Sequence, residues 1–150
     1  MKTINKPGDN LGGLTKLWAV PKEVYSRNGT SVSISDTTNV YEIYCTPESM
    51  EFNEPQQQSD AGKYYKTVVS GFSPGDTESN LTSIEYIERR KWVILFKDGN
   101  GKLKAAGSSS QPLSVHPERN SGRDTTGRAG YTFSFVGETT ERAQFVDNPF

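Results

Sequence analysis

The sequence contains one histidine and one cysteine, the two residue types most often used as nucleophile, base or metal ligand. His116 and Cys45 lie far apart in the chain, and two lone ligands do not make a zinc site. We therefore predict a structural or surface role for His116 and a small buried role for Cys45. A Cys–His nucleophilic pair remains the alternative, although nothing in the sequence places the two together.

Two glycine-containing segments superficially resemble ligand-binding loops. Asp98-Gly99-Asn100-Gly101 resembles the start of a calcium loop, but the twelfth position is Ser109 rather than a bidentate glutamate. A hairpin turn explains it better. The glycines of segment 8–13 lack the spacing of a dinucleotide fingerprint and precede a strand-like run. We predict no metal and no cofactor.

Acidic residues are scattered along the chain, so two of them could meet as a glycosidase pair. No nucleophile–base set accompanies them, and we predict that the protein is not an enzyme. Arg119, Arg123 and Arg128 lie in a polar segment, 117–130. They could meet phosphate or an acidic partner, or they could belong to a solvated loop; the sequence leaves both open.

Composition narrows the class of protein. The chain has 150 residues, 17 Lys plus Arg, 18 Asp plus Glu and a net charge of −1. This charge argues against a general nucleic-acid binder, and 32% hydrophobic residues argue against a large enzyme core. No run approaches a membrane span, and the 7 Tyr, 7 Phe and 2 Trp argue against disorder.

Alternation of apolar and polar residues dominates the chain, which predicts about eight to ten short strands at sandwich-like or barrel-like spacing. Segment 92–96 is the most apolar run and is predicted to be a central strand. The turn at 98–101 predicts that 102–106 pairs with it in antiparallel fashion. A second hairpin is predicted between 31–35 and 40–45, on either side of the turn at 36–39.

In one segment the apolar residues recur at helical spacing instead of alternating with polar ones. Leu81, Ile84 and Ile87 share one helical face, so we predict a single short α-helix at about 79–91, capped by Asp76, Ser79 or Asn80. The predicted fold is mainly β, an antiparallel sandwich or barrel with this helix.

The predicted organisation is an N-terminal arm (1–13), one β domain (14–147) with the long loop 117–130, and a C-terminal tail (148–150). The first ten residues lack the apolar segment of a signal peptide. Synthesis in a reducing cytosol is therefore expected.

Three segments carry a resemblance to a known group of proteins. They are Asn10-Leu11-Gly12-Gly13-Leu14-Thr15-Lys16-Leu17-Trp18, then Leu95-Phe96-Lys97-Asp98-Gly99-Asn100-Gly101-Lys102 followed by Gly107 and Pro112-Leu113, and finally segment 130–140 with Ala143 and Phe145. Their order resembles small virion proteins, tail components, of phages and prophages of gut Bacteroidales, including the crAss-like group.

The resemblance implies a tail-tube-like or neck-ring protein that acts by self-assembly in the virion after synthesis in the host bacterial cytoplasm. Its partners would be further copies of itself and neighbouring virion proteins, with passing contact to DNA in a lumen and none to a membrane. Polar segments that make few contacts within their own subunit can become ordered by binding to a neighbouring subunit. The candidate interface residues are Leu11, Arg119, Arg123, Arg128 and Phe150.

The aromatic content leaves a second hypothesis open. Tyrosine and tryptophan faces stack on sugars, so a carbohydrate- or ligand-binding β-sandwich module is the alternative function. Aromatic residues at alternating strand positions can equally belong to the core.

Overall fold

A computed structural model describes residue 3 and residues 12–123 and 128–150. The fold is mainly antiparallel β, as predicted, with one helix in the described residues. The elements in chain order are β1 (Leu14–Pro21), β2 (Tyr25–Asn28), β3 (Ser31–Ile34), β4 (Tyr41–Glu42), β5 (Glu51–Asn53), β6 (Gln56–Ser59), β7 (Gly62–Pro74), α1 (Glu78–Glu88), β8 (Lys91–Asp98), β9 (Leu103–Ala106), β10 (Leu113–Val115), β11 (Glu118–Asn120), β12 (Gly130–Thr139) and β13 (Gln144–Phe145).

Eleven strands form one large sheet, whose order is compatible with a sandwich or a barrel. The central strand is β8, as predicted. It pairs with β1 on one edge and with β9 and β10 on the other. The hairpin between β8 and β9 follows the predicted turn at 98–101, with Ile94 opposite Ala106. The longest ladder joins β7 to β12, from Pro74 opposite Gly130 to Tyr65 opposite Thr139.

Strand β8 separates two apolar cores because successive side chains of a strand point to opposite faces. Trp92, Ile94 and Phe96 enter the larger core, together with the inward face of the helix. Val93 and Leu95 enter the smaller core, which is covered by the β2–β3 hairpin. All five residues are fully buried, which explains why this run carries no polar alternation.

The helix begins one residue earlier and ends three residues earlier than predicted. Its N-cap is Thr77, whose hydroxyl accepts a hydrogen bond from the backbone N–H of Asn80 (3.2 Å), and not Asp76, Ser79 or Asn80. Lys91 already belongs to β8. At the other end, the indole N–H of Trp92 donates to the carbonyl of Ile87 (2.8 Å) and fixes the helix on the sheet.

Two further predictions need correction. The predicted hairpin between 31–35 and 40–45 is wrong, because β3 pairs with the preceding strand β2 and β4 pairs with β1. The predicted loop 117–130 contains a short strand, β11, in which Arg119 lies opposite Tyr131 of β12. The edge of β12 supplies the backbone partners of β11, so this strand needs no apolar pattern of its own.

Candidate functional site

Two of the three candidate arginines contact the body of their own chain. The guanidinium of Arg119 donates from Nε to both carboxylate oxygens of Asp76 (3.0 Å each), and its second nitrogen lies 2.9 Å from Oδ1. The buried Tyr131 hydroxyl donates to the same carboxylate (3.1 Å). These hydrogen bonds, with that of Arg119 the largest cause, hold the pKa of Asp76 below its ordinary value of 3.8.

Arg128 lies over the ring of Phe72 at 4.9 Å and donates to the hydroxyl of Thr46 (3.3 Å). Arg123 is exposed, as are Arg119 and Arg128. Leu11 lies outside the described residues. The interface roles of all four residues stay predictions.

The C-terminal tail folds onto its own chain. The ring of Phe150 stacks on Trp18 of β1, with centroids 5.2 Å apart, and remains half exposed. Thr30 and Asp147 hold the tail near the β2–β3 hairpin through a side-chain hydrogen bond (3.2 Å) and a backbone bond (2.8 Å). A role of Phe150 as an anchor in a neighbouring subunit stays a prediction.

A cleft of about 650 Å³ opens beside the first half of β1. We call it the β1 cleft. Its two walls are residues 12–17 and 42–50, and its lining is mainly apolar, with Leu14, Leu17, Ile43 and Met50 among the contributors. A volume between about 300 and 1,000 Å³ with this kind of lining is typical of binding sites in proteins.

The path of the chain after β4 creates this cleft. Strand β4 pairs with β1 only at Trp18 and Ala19, and one more backbone bond joins Ile43 N to Leu17 O (2.9 Å). Beyond that point the chain leaves β1. Among the described residues, nothing pairs with this edge of Leu14–Lys16, whose only ladder partner is β8.

The departing segment, which forms the far wall of the cleft, is fixed instead to β7. The N–H of Thr46 donates to the carbonyl of Phe72 (2.9 Å), and the hydroxyl of Ser49 accepts from the N–H of Phe72 (3.3 Å). Gly71 permits this approach, because a Cβ there would lie 2.9 Å from both Cys45 Sγ and Met50 Cγ.

Charged groups surround the apolar floor. Glu42 and Glu48 line the β1 cleft, and Lys16 approaches Glu42 at 3.6 Å in an exposed ion pair. A second cavity of about 480 Å³ continues from it and adds Glu51. Asp98 and Lys104, also in that second cavity, pair with each other at 3.2 Å. The rim of the combined cleft therefore carries more uncompensated acidic than basic groups.

Neither candidate for reactive chemistry is arranged for it. Cys45 lines the cleft as a buried free thiol, and desolvation raises its pKa from 9.0 to about 11. The thiolate, which is the nucleophile and the metal ligand, is thereby disfavoured. His116 is exposed. Among the described ranges, no group of three or more His, Cys, Asp or Glu residues could hold a metal ion.

Sequence reasoning missed the β1 cleft, although one signal for it was present. Ile43 and Cys45 alternate with Tyr44 along an apolar run, which places Tyr44 on the opposite side. It is 67% exposed and lies at the rim of the cleft. An aromatic residue on the outer face of such a run was the available indication of a surface site.

Comparison with protein-family models, with curated proteins and with solved structures finds no match. In the part of the chain that the structure describes, no helix has the length and apolar character needed to span a membrane.

Proposed function

We propose that this chain is a structural protein of a phage virion, a tail or neck ring component that acts by self-assembly. The three segments that resemble small virion proteins support this proposal, and a β fold with one packed helix agrees with what that resemblance implies. In this function the protein is made in the host bacterial cytoplasm and resides in the virion. It binds copies of itself and neighbouring virion proteins.

The observation that carries the proposal is an edge of β1 at Leu14–Lys16 that has no partner among the described residues and lies next to an apolar cleft. An exposed strand edge offers backbone N–H and C=O groups to an incoming extended segment, and an adjoining pocket accepts its side chains. This is a means of holding one protein chain against another. In a ring, the same heterologous contact repeats until the rotation closes.

The electrostatics suit a ring through which DNA passes. A lumen should not hold DNA tightly, and the net charge of −1 provides no strong general attraction for phosphate. Two candidate arginines are already engaged, Arg119 by Asp76 and Arg128 by Phe72 and Thr46. The protein's function is then geometric: the sheet gives rigidity and the loops give contacts.

Solution mass by light scattering over a range of concentrations, followed by electron microscopy of the same sample, tests the proposal. We expect rings or tubes of uniform diameter. A chain that stays monomeric at high concentration, with no neighbouring virion protein restoring assembly, contradicts the proposal.

A second candidate function, binding of carbohydrate or another small ligand, is favoured by one observation. Tyr44 is exposed at the rim of the β1 cleft, where Glu42 and Glu48 also lie. An aromatic face is suited to stack on a sugar, and neighbouring carboxylates can accept hydrogen bonds from its hydroxyl groups. Calorimetric titration with a glycan panel tests this idea: binding should disappear in Tyr44→Ala and persist in Phe145→Ala, an exposed aromatic residue elsewhere. Absence of heat across the panel contradicts it.

A further inference from the structure

We propose that the β1 cleft is the binding site for residues 1–11 of the N-terminal arm of a second copy of this chain. The inference rests on the proposed self-assembly and names the contact that would produce it. The arm enters as an extended strand along the free edge of β1 and places its apolar side chains on the floor of the cleft.

The backbone of the cleft is suited to a strand. Leu14–Lys16 pairs with β8 on one edge, and the other edge of this stretch has no partner among the described residues. Thr15 is the irregular position of the β1–β8 ladder, where the register shifts. An incoming strand would pair with Leu14–Lys16, the part of β1 that has lost its neighbour because the chain moves away from β1 after Ile43.

The composition of the arm complements the lining. Its sequence, Met1-Lys2-Thr3-Ile4-Asn5-Lys6-Pro7-Gly8-Asp9-Asn10-Leu11, offers apolar Ile4 between two lysines. The cleft offers an apolar floor and a rim on which Glu42, Glu48 and Glu51 outnumber Lys16. Opposite charge on the two surfaces steers an encounter and fixes its register.

The arm also has the reach to leave its own subunit. Eleven extended residues span about 35 Å at about 3.3 Å per residue. Pairing with the free edge of β1 uses about four of them, and the other seven still span about 23 Å.

Thiol crosslinking in the full-length chain tests the inference. In a Cys45→Ala background, which removes the native thiol that lines the cleft, one chain carries Ile4→Cys and a second chain of distinguishable mass carries Thr15→Cys. The two are mixed and treated with a short bis-maleimide. Each crosslink between the two masses then records an arm on the cleft of another copy. We expect heterodimers in this mixture and a loss of at least about tenfold when Glu23→Cys replaces Thr15→Cys, because Glu23 is exposed away from the cleft.

The other outcomes separate this inference from the proposed function. A crosslink found only within single chains carrying both substitutions, with none in the mixture, overturns the inference because the arm then occupies its own cleft. No crosslink in a sample that forms rings or tubes also overturns it and leaves self-assembly standing. If the mixture gives no crosslink and the protein does not assemble, both the inference and the proposed function are contradicted.

Charge reversal gives an independent readout. Glu42→Lys with Glu48→Lys should weaken assembly severalfold, and so should Lys2→Glu with Lys6→Glu. Combining all four changes should restore it. The matched control is Glu23→Lys with Glu88→Lys, two exposed carboxylates that do not line the cleft. Equal weakening by the control, or no recovery in the combined variant, contradicts the assignment of the arm to this rim.

Discussion

Asp76 joins three separate parts of the chain through one carboxylate. Arg119 of β11 and Tyr131 of β12 both donate to it, just before the helix begins. The pKa of Asp76 is lower in the folded protein than its ordinary 3.8. The charged carboxylate therefore stabilises the fold above that ordinary pKa, and this contribution is lost as the pH falls through the lower folded pKa.

The change that tests this is Asp76→Asn. At pH 7 we expect it to lower the midpoint of thermal unfolding, because the charge on Arg119 loses its partner. Below about pH 4 the difference from the wild type should shrink, since the wild-type carboxylate is then itself becoming protonated. If the difference in unfolding midpoint between the two proteins stays constant from pH 7 to pH 3, the charge of the carboxylate does not contribute to stability.

Cys45 should react slowly with thiol reagents. With a pKa of about 11 in place of 9.0, its thiolate fraction at pH 8 is about 100-fold smaller than that of an ordinary thiol. The measurement is the rate of modification by a disulfide reagent in the native and the urea-unfolded protein. We expect at least a 100-fold acceleration on unfolding; equal rates would mean that the thiol is not buried in solution.

Residue types identify the charged and titratable side chains but not what those side chains contact. The arginines of segment 117–130 are an example, and their interface roles stay predictions. Their partners, Asp76 for Arg119 and Phe72 for Arg128, come from distant parts of the chain. Sequence spacing contains no information about such contacts unless the strand pairing is already known.

At the scale of elements, the helix depends on its first turn. Thr77 accepts a hydrogen bond from the N–H of Asn80 (3.2 Å). Thr77→Ala should reduce the free energy of unfolding by about 1 kcal/mol, because that N–H loses its protein partner, and Thr77→Ser should retain most of it. Urea denaturation of the three proteins measures the difference; equal loss in both variants would assign the effect to the threonine methyl group instead.

The far wall of the β1 cleft depends on a small residue in β7. A methyl group at position 71 would lie 2.9 Å from Cys45 Sγ and Met50 Cγ. Gly71→Ala should therefore reduce stability by about 1–3 kcal/mol through overpacking. Gly12→Ala is the matched control, since its methyl group would meet nothing within 4 Å. Similar stability of the two variants would contradict a tight contact at this wall.

Most strands were predictable because alternation is a local property. The β2–β3 hairpin was not, because two turn-like segments competed for the same strand. Asp36 does form a local turn by accepting from the N–H of Thr38 (2.9 Å), as its composition suggests. However, Ser31 already pairs with Asn28 across a turn that contains Gly29. Both turns form, but only the turn that contains Gly29 connects two strands that pair with each other.

At the scale of the whole molecule, the β1 cleft is the feature that no local pattern contained. It exists because the segment after β4 bonds to β1 at Leu17 and then to β7 at Phe72. One wall lies mostly in β1, and the other is the irregular segment between β4 and β5. The gap between the walls follows from the order of strands in the sheet, and that order becomes visible only in three dimensions.

The stacking of Phe150 on Trp18 gives the molecule an internal optical reporter. Of the two tryptophans, Trp92 is fully buried and should give a constant signal, while Trp18 is 9% exposed and partly covered by the tail. Phe150→Ala should shift the emission to longer wavelength as water reaches the indole, whereas Phe145→Ala should leave it unchanged. Any event that lifts the tail from its own subunit, including its transfer to a neighbour, could then be followed by fluorescence without an added label.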